Sequence, residues 1–194
     1  QRNGLLEGLH LNVSNLRRYL AYVEGTYNGN PYHNNWHGAD VTQRCAAILD
    51  AMQLPDNKDT RVHRLAAILA AAIHDAGHPG VDNNFMIKQE DQMAIDFNDQ
   101  HVLEMHSLQV ALHAICHKPG LNFLEGSRLD GKGNWIKFKH IVTSIVLATD
   151  MGQHFDLLAK FSAKFVGRHS KNEDQREAVG ANLVLVLQVA MKAA

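Results

Sequence analysis

Apolar residues recur along this chain at the spacing of α-helices, and the strict alternation typical of β-strands is scarce. The segment GTYNGNP ends a first predicted helix, whose apolar face carries Leu9, Val13, Leu16, Leu20 and Val23. A second helix begins near His33 and is closed by Pro55-Asp56-Asn57; its apolar face carries Val41, Cys45, Ile48, Leu49 and Met52. A third helix is the Ala-rich run that ends at Asp75, where glycine and proline follow at once.

The second half of the chain continues the helical period. A fourth helix is predicted over 84–97 and a fifth over 101–116, and the segment KPGLNFLEGSRLDGKGNW is predicted to be a loop. A sixth helical run covers two apolar groups, which are Ile141, Ile145, Leu147 and Ala148, then Leu157, Leu158 and Phe161. The segment GRHSKNEDQ is a polar connection, and a last helix is predicted to start near Arg176. The pattern indicates one all-α domain over residues 1–194.

Composition narrows the class of protein. The 194 residues suffice for one domain with a sizeable core, and 45% hydrophobic with 20% charged residues is ordinary for a globular protein. A formal net charge of -1 gives no reason to expect a nucleic-acid partner. The apolar runs Leu65–Ile73 and Leu183–Leu187 are far shorter than the roughly 18 residues of a membrane span. We therefore expect no membrane span and a cytoplasmic location.

Three further features complete this picture. The two cysteines have no CxxC spacing, which favours a reducing compartment. The chain starts without Met and stops inside an apolar periodic run, so we expect a partial chain. Thirteen histidines are many for this length, so some are expected to be metal ligands or proton carriers.

The first candidate motif is YHNNWHGAD, residues 32–40. His33 and His37 are spaced i, i+4 and would lie on one helix face, about one turn apart. Asp40 follows three residues after His37 and is within reach of its ring nitrogen. Two such histidines are weak evidence alone, because a capped helix start with solvated imidazoles explains them equally well.

The second motif is HDAGHPGVDNN, residues 74–84. His74 and Asp75 come directly after an apolar run, and at a helix end both side chains can converge on one site. A buried carboxylate and imidazole are costly without partners, and a metal ion would satisfy both. An ordinary helix C-cap would explain His74 but not Asp75, since an anion at a helix C-terminus is unfavourable.

Two weaker motifs follow. In VLEMH, residues 102–106, Glu104 and His106 interrupt an apolar pattern, and Glu104 has the chemistry to orient a histidine or to accept a proton. In VLATDM, residues 146–151, Thr149 and Asp150 follow an apolar stretch and can reach the interior. A solvated helix face explains VLEMH equally well, and VLATDM alone is uninformative.

Together these motifs resemble the catalytic domain of class I 3',5'-cyclic nucleotide phosphodiesterases, within the HD superfamily of metal-dependent phosphohydrolases. The matching pieces are YHNNWHGADV, HDAGHPGVDNNF, the VLE-x-H of VLEMH, and LATDM, in the family's order from about Tyr32 to Met151. The resemblance implies a compact multi-helix catalytic domain whose C-terminal part is missing here. It also implies hydrolysis of cAMP, cGMP or both to nucleoside 5'-monophosphates.

The resemblance also implies roles for the strongest motifs. His33 matches the general acid that protonates the leaving 3' oxygen. His37, His74 and Asp75 match ligands of a tightly bound metal, usually zinc, and Asp75 also reaches a second metal, commonly magnesium or manganese. The implied nucleophile is a hydroxide that bridges the two ions.

Further positions take supporting roles by the same resemblance. His78, Glu104 and Thr149 match residues that contact water on the metals, and Glu104 also matches the residue that orients His33. Tyr32 and Met151 match residues that line the substrate pocket, and Asn83 and Phe85 match structural positions near the site. A homodimer through the catalytic domain is also expected.

Several departures bear on these expectations. The family's fourth metal ligand, an aspartate, is expected just beyond Ala194, and the segment that grips the purine is expected further on. Ser107 stands where the family usually has a second histidine, and Asp82 where small residues are common. An alternative is a degenerate phosphodiesterase fold that serves as a non-catalytic cyclic-nucleotide sensor or scaffold. Another phosphohydrolase with the His-Asp pair would not account for YHNNWH or LATDM.

Overall fold

The computed structural model describes residues 4–165 and 178–194, and these residues form α-helices and one 3-10 turn without any β-strand. The predicted all-α fold is therefore confirmed. The helices are α1 (Leu5–Gly8), α2 (Val13–Glu24), α3 (Asn35–Ala51), α4 (Lys58–Ile73), α5 (Asn83–Lys88), α6 (Gln92–Asp96), α7 (Val102–His117), α8 (Lys132–Leu147), α9 (His154–Phe165) and α10 (Leu183–Ala193). The 3-10 turn is Met151–Gln153.

Side-chain caps fix the helix starts that matter for the site. Asn34 accepts hydrogen bonds from the backbone N–H groups of Trp36 and His37, which starts α3 just after His33. Asp82 accepts from the backbone N–H of Phe85 and starts α5. These oxygens satisfy N–H groups that have no partner within the helix, so each short polar residue ends a loop at a defined position.

Helix α4 forms the centre of the core and packs against α3 and α8. Its small residues Ala66, Ala67, Ala70 and Ala71 are fully buried, which allows neighbouring helices to pack closely against it. The C-terminal end of α4 is therefore surrounded by other elements, and the residues that follow it, His74 and Asp75, are buried.

Three predicted helices are divided in the structure. The first is broken at His10, whose backbone has φ +56°, so Leu9 caps the C-terminal end of α1 and lies outside α2. The helix predicted over 84–97 is wrong as a single element: Glu90 has φ +51°, and Asp91 caps a separate helix α6. The sixth run is divided where Asp150 leaves the helical conformation and caps the 3-10 turn. None of these breaks is made by glycine or proline.

The other segments follow the prediction more closely. The loop after α7 carries Phe123, Leu124 and Leu129 into the core. The polar connection GRHSKNEDQ and the predicted start near Arg176 lie outside the described residues. In the two described ranges, every helix is too short or too polar to cross a bilayer.

Candidate active site

The candidate site begins where α4 ends. His74 retains a right-handed helical backbone, and its ring Nδ1 lies 2.9 Å from the carbonyl oxygen of Ala71. A carbonyl only accepts, so Nδ1 carries the proton and the lone pair of the neutral ring is on Nε2. The end of α4 therefore fixes the His74 ring with Nε2 directed towards the other site residues.

One carboxylate oxygen, Oδ2 of Asp75, is the centre of the group. It lies 2.7 Å from Nδ1 of His33, 3.2 Å from Nε2 of His74 and 3.4 Å from Nε2 of His37. The Nε2 atoms of His37 and His74 are 3.2 Å apart. The structure thus brings together all four strongest residues of the first two motifs, from α3 and from the end of α4.

This geometry fits a metal ion held by His37, His74 and Asp75. Ligand atoms about 2.1 Å from a shared ion lie roughly 3.0–3.4 Å apart at octahedral or tetrahedral angles. The three ligand atoms here are 3.2–3.4 Å apart. Two imidazole nitrogens and one carboxylate are also a donor set that binds divalent transition metals.

Burial and charge act in opposite directions on Asp75. Burial alone would raise the pKa of its carboxyl group, but the neighbouring His74 and His33 outweigh burial and lower that pKa well below its usual range. Burial lowers the pKa of His37, and the neighbouring His74 lowers it further. An ionised carboxylate beside neutral imidazoles is the protonation state that metal coordination requires.

His78 lies on the loop after α4 and stacks on His33, with ring centroids 3.8 Å apart. Its Nδ1 accepts a hydrogen bond from the backbone N–H of Gly80, so the ring proton is on Nε2. Burial lowers the pKa of His78 to about 4. The ring therefore remains neutral at pH 7 and supports one face of His33.

Two asparagines that the sequence did not indicate hold this loop. The Nδ2 atoms of Asn28 and Asn30 lie 2.8 Å and 2.7 Å from the carbonyl oxygen of His78, and both donate to it. In the sequence these residues belong to the segment YNGNP, which predicted only a helix end and not a contact with the carbonyl oxygen of His78. These hydrogen bonds join the segment before His33 to the loop after Asp75.

A second group of side chains lies at the start of α7. Oε2 of Glu104 accepts a hydrogen bond from Nδ2 of Asn83 at 3.0 Å, and Oδ1 of Asn83 accepts one from the backbone N–H of Leu103. His101 and Asp150 complete this group, with ligand atoms of His101, Glu104 and Asp150 all within 4.8 Å of one another. Burial raises the pKa of Glu104, and the hydrogen bond from Asn83 opposes that shift.

Two side-chain contacts predicted from the sequence differ from the contacts in the structure. His33 donates to Asp75, and Glu104 accepts from Asn83, so the expected orientation of His33 by Glu104 is replaced by orientation through Asp75. Asp40 forms an ion pair with Arg44 at 3.0 Å, one helical turn away, in place of the expected bond to His37. The side chain of Asp40 is about half exposed, so the guanidinium one helical turn away reaches its carboxylate from the surface.

The remaining predicted positions surround this core. Tyr32 is 64% exposed, and its ring centroid lies 4.6 Å from that of His37. Phe85 on α5 and Met151 in the 3-10 turn are also exposed. The hydroxyl of Thr149 donates to the carbonyl oxygen of Val146 at 2.7 Å, which leaves its lone pairs available. Their roles towards substrate stay predictions.

Residues 32–194 match the family of 3'5'-cyclic nucleotide phosphodiesterases. The chain belongs to this family. The match covers most of the chain and contains all four motifs, so the resemblance drawn from them is confirmed. Family membership agrees with the spacing of His37, His74 and Asp75, which fits a metal ion.

Named relatives agree with this assignment. A probable 3',5'-cyclic phosphodiesterase of Caenorhabditis elegans is 35% identical over 153 residues, which are 78% of this chain and 20% of that protein. The 3',5'-cyclic-AMP phosphodiesterase 4C of Rattus norvegicus is 38% identical over 165 residues, 82% of this chain and 29% of the relative. The chain thus spans less than a third of the length of these curated relatives.

A solved structure has the same fold. The phosphodiesterase domain of the RhoPDE fusion protein from the choanoflagellate Salpingoeca rosetta aligns with a TM-score of 0.83 and 26% sequence identity. The alignment covers 99% of this chain and 58% of that one. The arrangement of helices described here is therefore that of part of a phosphodiesterase catalytic domain.

Proposed function

We propose that the protein containing this chain hydrolyses 3',5'-cyclic nucleotides, cAMP or cGMP, to nucleoside 5'-monophosphates. The observation that carries the proposal is the convergence of His33, His37 and His74 on one oxygen of Asp75, in a chain of this family. Several relatives are named as cAMP phosphodiesterases, so cAMP is the first substrate to test.

The proposal includes two divalent cations. His37, His74 and Asp75 would hold the first, and two imidazoles with a carboxylate favour zinc. Asp75 would also reach the second, and a site completed mainly by water and substrate favours magnesium or manganese. When bound, the two ions would make water a stronger nucleophile and would stabilise negative charge on the phosphate oxygens.

His33 supplies the proton for the leaving group. Hydrolysis breaks the bond between phosphorus and the 3' oxygen, and that oxygen departs as a strongly basic alkoxide unless it receives a proton. Asp75 accepts from Nδ1 of His33, which leaves Nε2 as the nitrogen that can donate to the 3' oxygen. His78 stacks on the same ring and limits its rotation.

Other side chains take roles in binding and proton transfer. Glu104 and Thr149 offer oxygen acceptors to water near the phosphate, and the neutral ring of His78 offers a donor, its Nε2–H. The exposed rings of Tyr32 and Phe85 and the thioether of Met151 offer apolar surface for the nucleoside. A homodimer through the catalytic domain and a cytoplasmic location belong to the same proposal.

A leaving-group experiment tests the role of His33. The complete protein, with zinc and magnesium, is compared with His33→Ala on cAMP and on bis(4-nitrophenyl) phosphate, whose nitrophenolate leaves without protonation. We expect turnover of cAMP to fall by about 10²–10⁴-fold, as for loss of a general acid. The loss on the nitrophenyl ester should be much smaller, and metal content should be unchanged.

His113→Ala provides the matched control, because His113 is exposed on α7 and takes no part in the group around Asp75. Equal losses on both substrates would contradict a proton-donor role for His33. A wild-type protein that binds both metals and cyclic nucleotide without turnover would contradict the proposed function and favour the sensor.

A further inference from the structure

His101 belongs to the group at the start of α7 and has no role in the proposed function. It stands immediately before α7 with φ +46° and ψ +46°, and its side chain caps no N–H group of the helix. Its ring is directed to Asp150, and Nδ1 lies 2.7 Å from Oδ2 of that carboxylate. A non-glycine residue in the left-handed region is uncommon, and here it places the imidazole beside Asp150.

Asp150 is held at three points. Its Oδ2 accepts from His101, its Oδ1 accepts from the backbone N–H of Gly152 at 2.8 Å, and its carbonyl oxygen accepts from Nζ of Lys192 at 3.0 Å. The side chains of His101 and Asp150 are only 25% and 18% exposed, which strengthens a charge-assisted hydrogen bond. The residue that precedes α7, the 3-10 turn and α10 thus all meet at Asp150.

The hydrogen bond between His101 and Asp150 joins two segments that carry three of the proposed site residues. Asp150 stands between Thr149 and Met151, and His101 precedes Glu104 by three residues, at the start of the same helix. Lys192 also approaches the sulfur of Met151, at 3.8 Å. Any shift of Asp150 relative to α7 therefore changes the position of Thr149 and Met151 relative to Glu104.

We propose that His101 is a positioning residue: its hydrogen bond to Asp150 holds the segment Thr149–Met151 against the start of α7, and so keeps Met151 in place for the nucleoside. The inference rests on the proposed function. It assigns to His101 and Asp150 no contact with substrate or metal. The lysine beside Asp150 also argues against a cation site there, since an ammonium group already balances part of the negative charge.

The test uses the complete protein with zinc and magnesium, and compares wild type with His101→Gly, Asp150→Asn and the double variant. Glycine adopts the left-handed region without strain, so His101→Gly removes the imidazole and leaves the backbone unpenalised. Asp150→Asn retains one oxygen for the N–H of Gly152 and loses the acceptor that faces His101. His113→Ala is the control on the same helix.

We expect each single variant to raise KM for the cyclic nucleotide by about tenfold, the size of one charge-assisted hydrogen bond, with a smaller change in kcat. The double variant should be no worse than either single variant, because both remove the same bond. The methyl resonance of Met151 in ¹³C-methyl-methionine NMR should shift in His101→Gly and Asp150→Asn but not in His113→Ala.

Each outcome has a distinct meaning. An unchanged KM together with an unchanged Met151 resonance in His101→Gly would overturn the inference, as would strictly additive effects in the double variant. Reduced stability with unchanged KM would assign His101 a structural role only, which also overturns it. Failure of the wild type to hydrolyse the substrate would refute the proposed function, and the NMR comparison would still decide whether His101 positions Met151.

Discussion

Oδ2 of Asp75 lies 2.7 Å from Nδ1 of His33, and the same oxygen is within 3.4 Å of Nε2 of both His37 and His74. One carboxylate therefore serves two purposes: it orients the proposed proton donor and completes the proposed ligand set. The end of α4 is buried among other elements, so little water can reach this oxygen and take the place of the three histidines. Removing it should affect metal binding and the orientation of His33 together.

The first prediction concerns metal content. Asp75→Asn preserves shape but removes the anionic ligand, and an amide oxygen is a much weaker ligand for a divalent transition metal. We expect zinc content, measured by inductively coupled plasma mass spectrometry after dialysis, to fall from near one ion per chain to a small fraction, with a loss of affinity of at least about 100-fold. Asp99→Asn, an exposed carboxylate outside the group, is the control. Retention of zinc by Asp75→Asn would contradict the ligand assignment.

The second prediction concerns acid sensitivity of the metal-free protein. The pKa of His78 is lowered by burial to about 4, below the value near 6.5 of an unfolded histidine. Between these values the unfolded chain binds a proton that the folded chain does not, so stability falls as pH decreases from about 6.5 to about 4. Protonation of Nδ1 would also remove the acceptor for the N–H of Gly80.

The expected contribution of His78 to this fall in unfolding free energy is about 1–3 kcal/mol. Urea denaturation in EDTA at pH 7 and pH 4.5 measures it. His78→Gln keeps an acceptor oxygen but does not titrate, so its stability should change less between the two pH values than that of wild type. The same pH dependence in His78→Gln and in the exposed-residue control His113→Gln would show that other groups cause the acid sensitivity.

Local spacing made the centre of the site predictable. His33 and His37 are one helical turn apart, and His74 is adjacent to Asp75, so their proximity within each pair follows from helix geometry alone. The pairing of His33 with Asp75 depends on the packing of α3 against α4, across 42 residues of sequence. The motif order indicated the family, but the expected partner of His33 was Glu104, and only the three-dimensional arrangement gives Asp75.

Contacts with backbone atoms could not be predicted from the sequence, for a different reason. A carbonyl oxygen has no sequence signal, so the hydrogen bonds from Asn28 and Asn30 to His78 could not be predicted from residue types. The helix break at Glu90 was missed because the residue is an ordinary helix former held at φ +51°. The first case is a tertiary contact and the second is a local left-handed helix end, and residue propensity encodes neither.

The third prediction concerns Gly77, which turns the chain between Asp75 and His78 with φ +75°. A Cβ atom at this position would lie 2.8 Å from Nε2 of His106. Gly126 has nearly the same φ, +72°, but nothing lies within 4 Å of its Cβ position. Comparing Gly77→Ala with Gly126→Ala therefore separates the close contact from the backbone strain.

We expect Gly126→Ala to cost about 1 kcal/mol, the strain of an L-residue in the left-handed region. Gly77→Ala should cost about 1–3 kcal/mol more because it also overpacks the region around His106. Urea denaturation measures both values. Equal destabilisation would show that the ring of His106 moves aside freely and that the Gly77 turn requires glycine only for its backbone conformation.

The last prediction concerns the two asparagines that donate to the carbonyl oxygen of His78. Nδ2 of Asn28 and Nδ2 of Asn30 reach this oxygen at 2.8 Å and 2.7 Å, so either donor alone satisfies it.

Asn28→Ala should therefore cost about 0.5–1.5 kcal/mol of unfolding free energy. The double variant, Asn28→Ala with Asn30→Ala, should cost more than the sum of the single variants, because only the double variant leaves the carbonyl without a donor. Asn84→Ala is the control for loss of an exposed asparagine. Hydrogen exchange should report the same pattern locally, with faster exchange at the N–H of Gly80 in the double variant. Strictly additive free energies, with unchanged exchange at Gly80, would show that the loop carrying His78 is held by α4 alone and not by the segment that precedes His33.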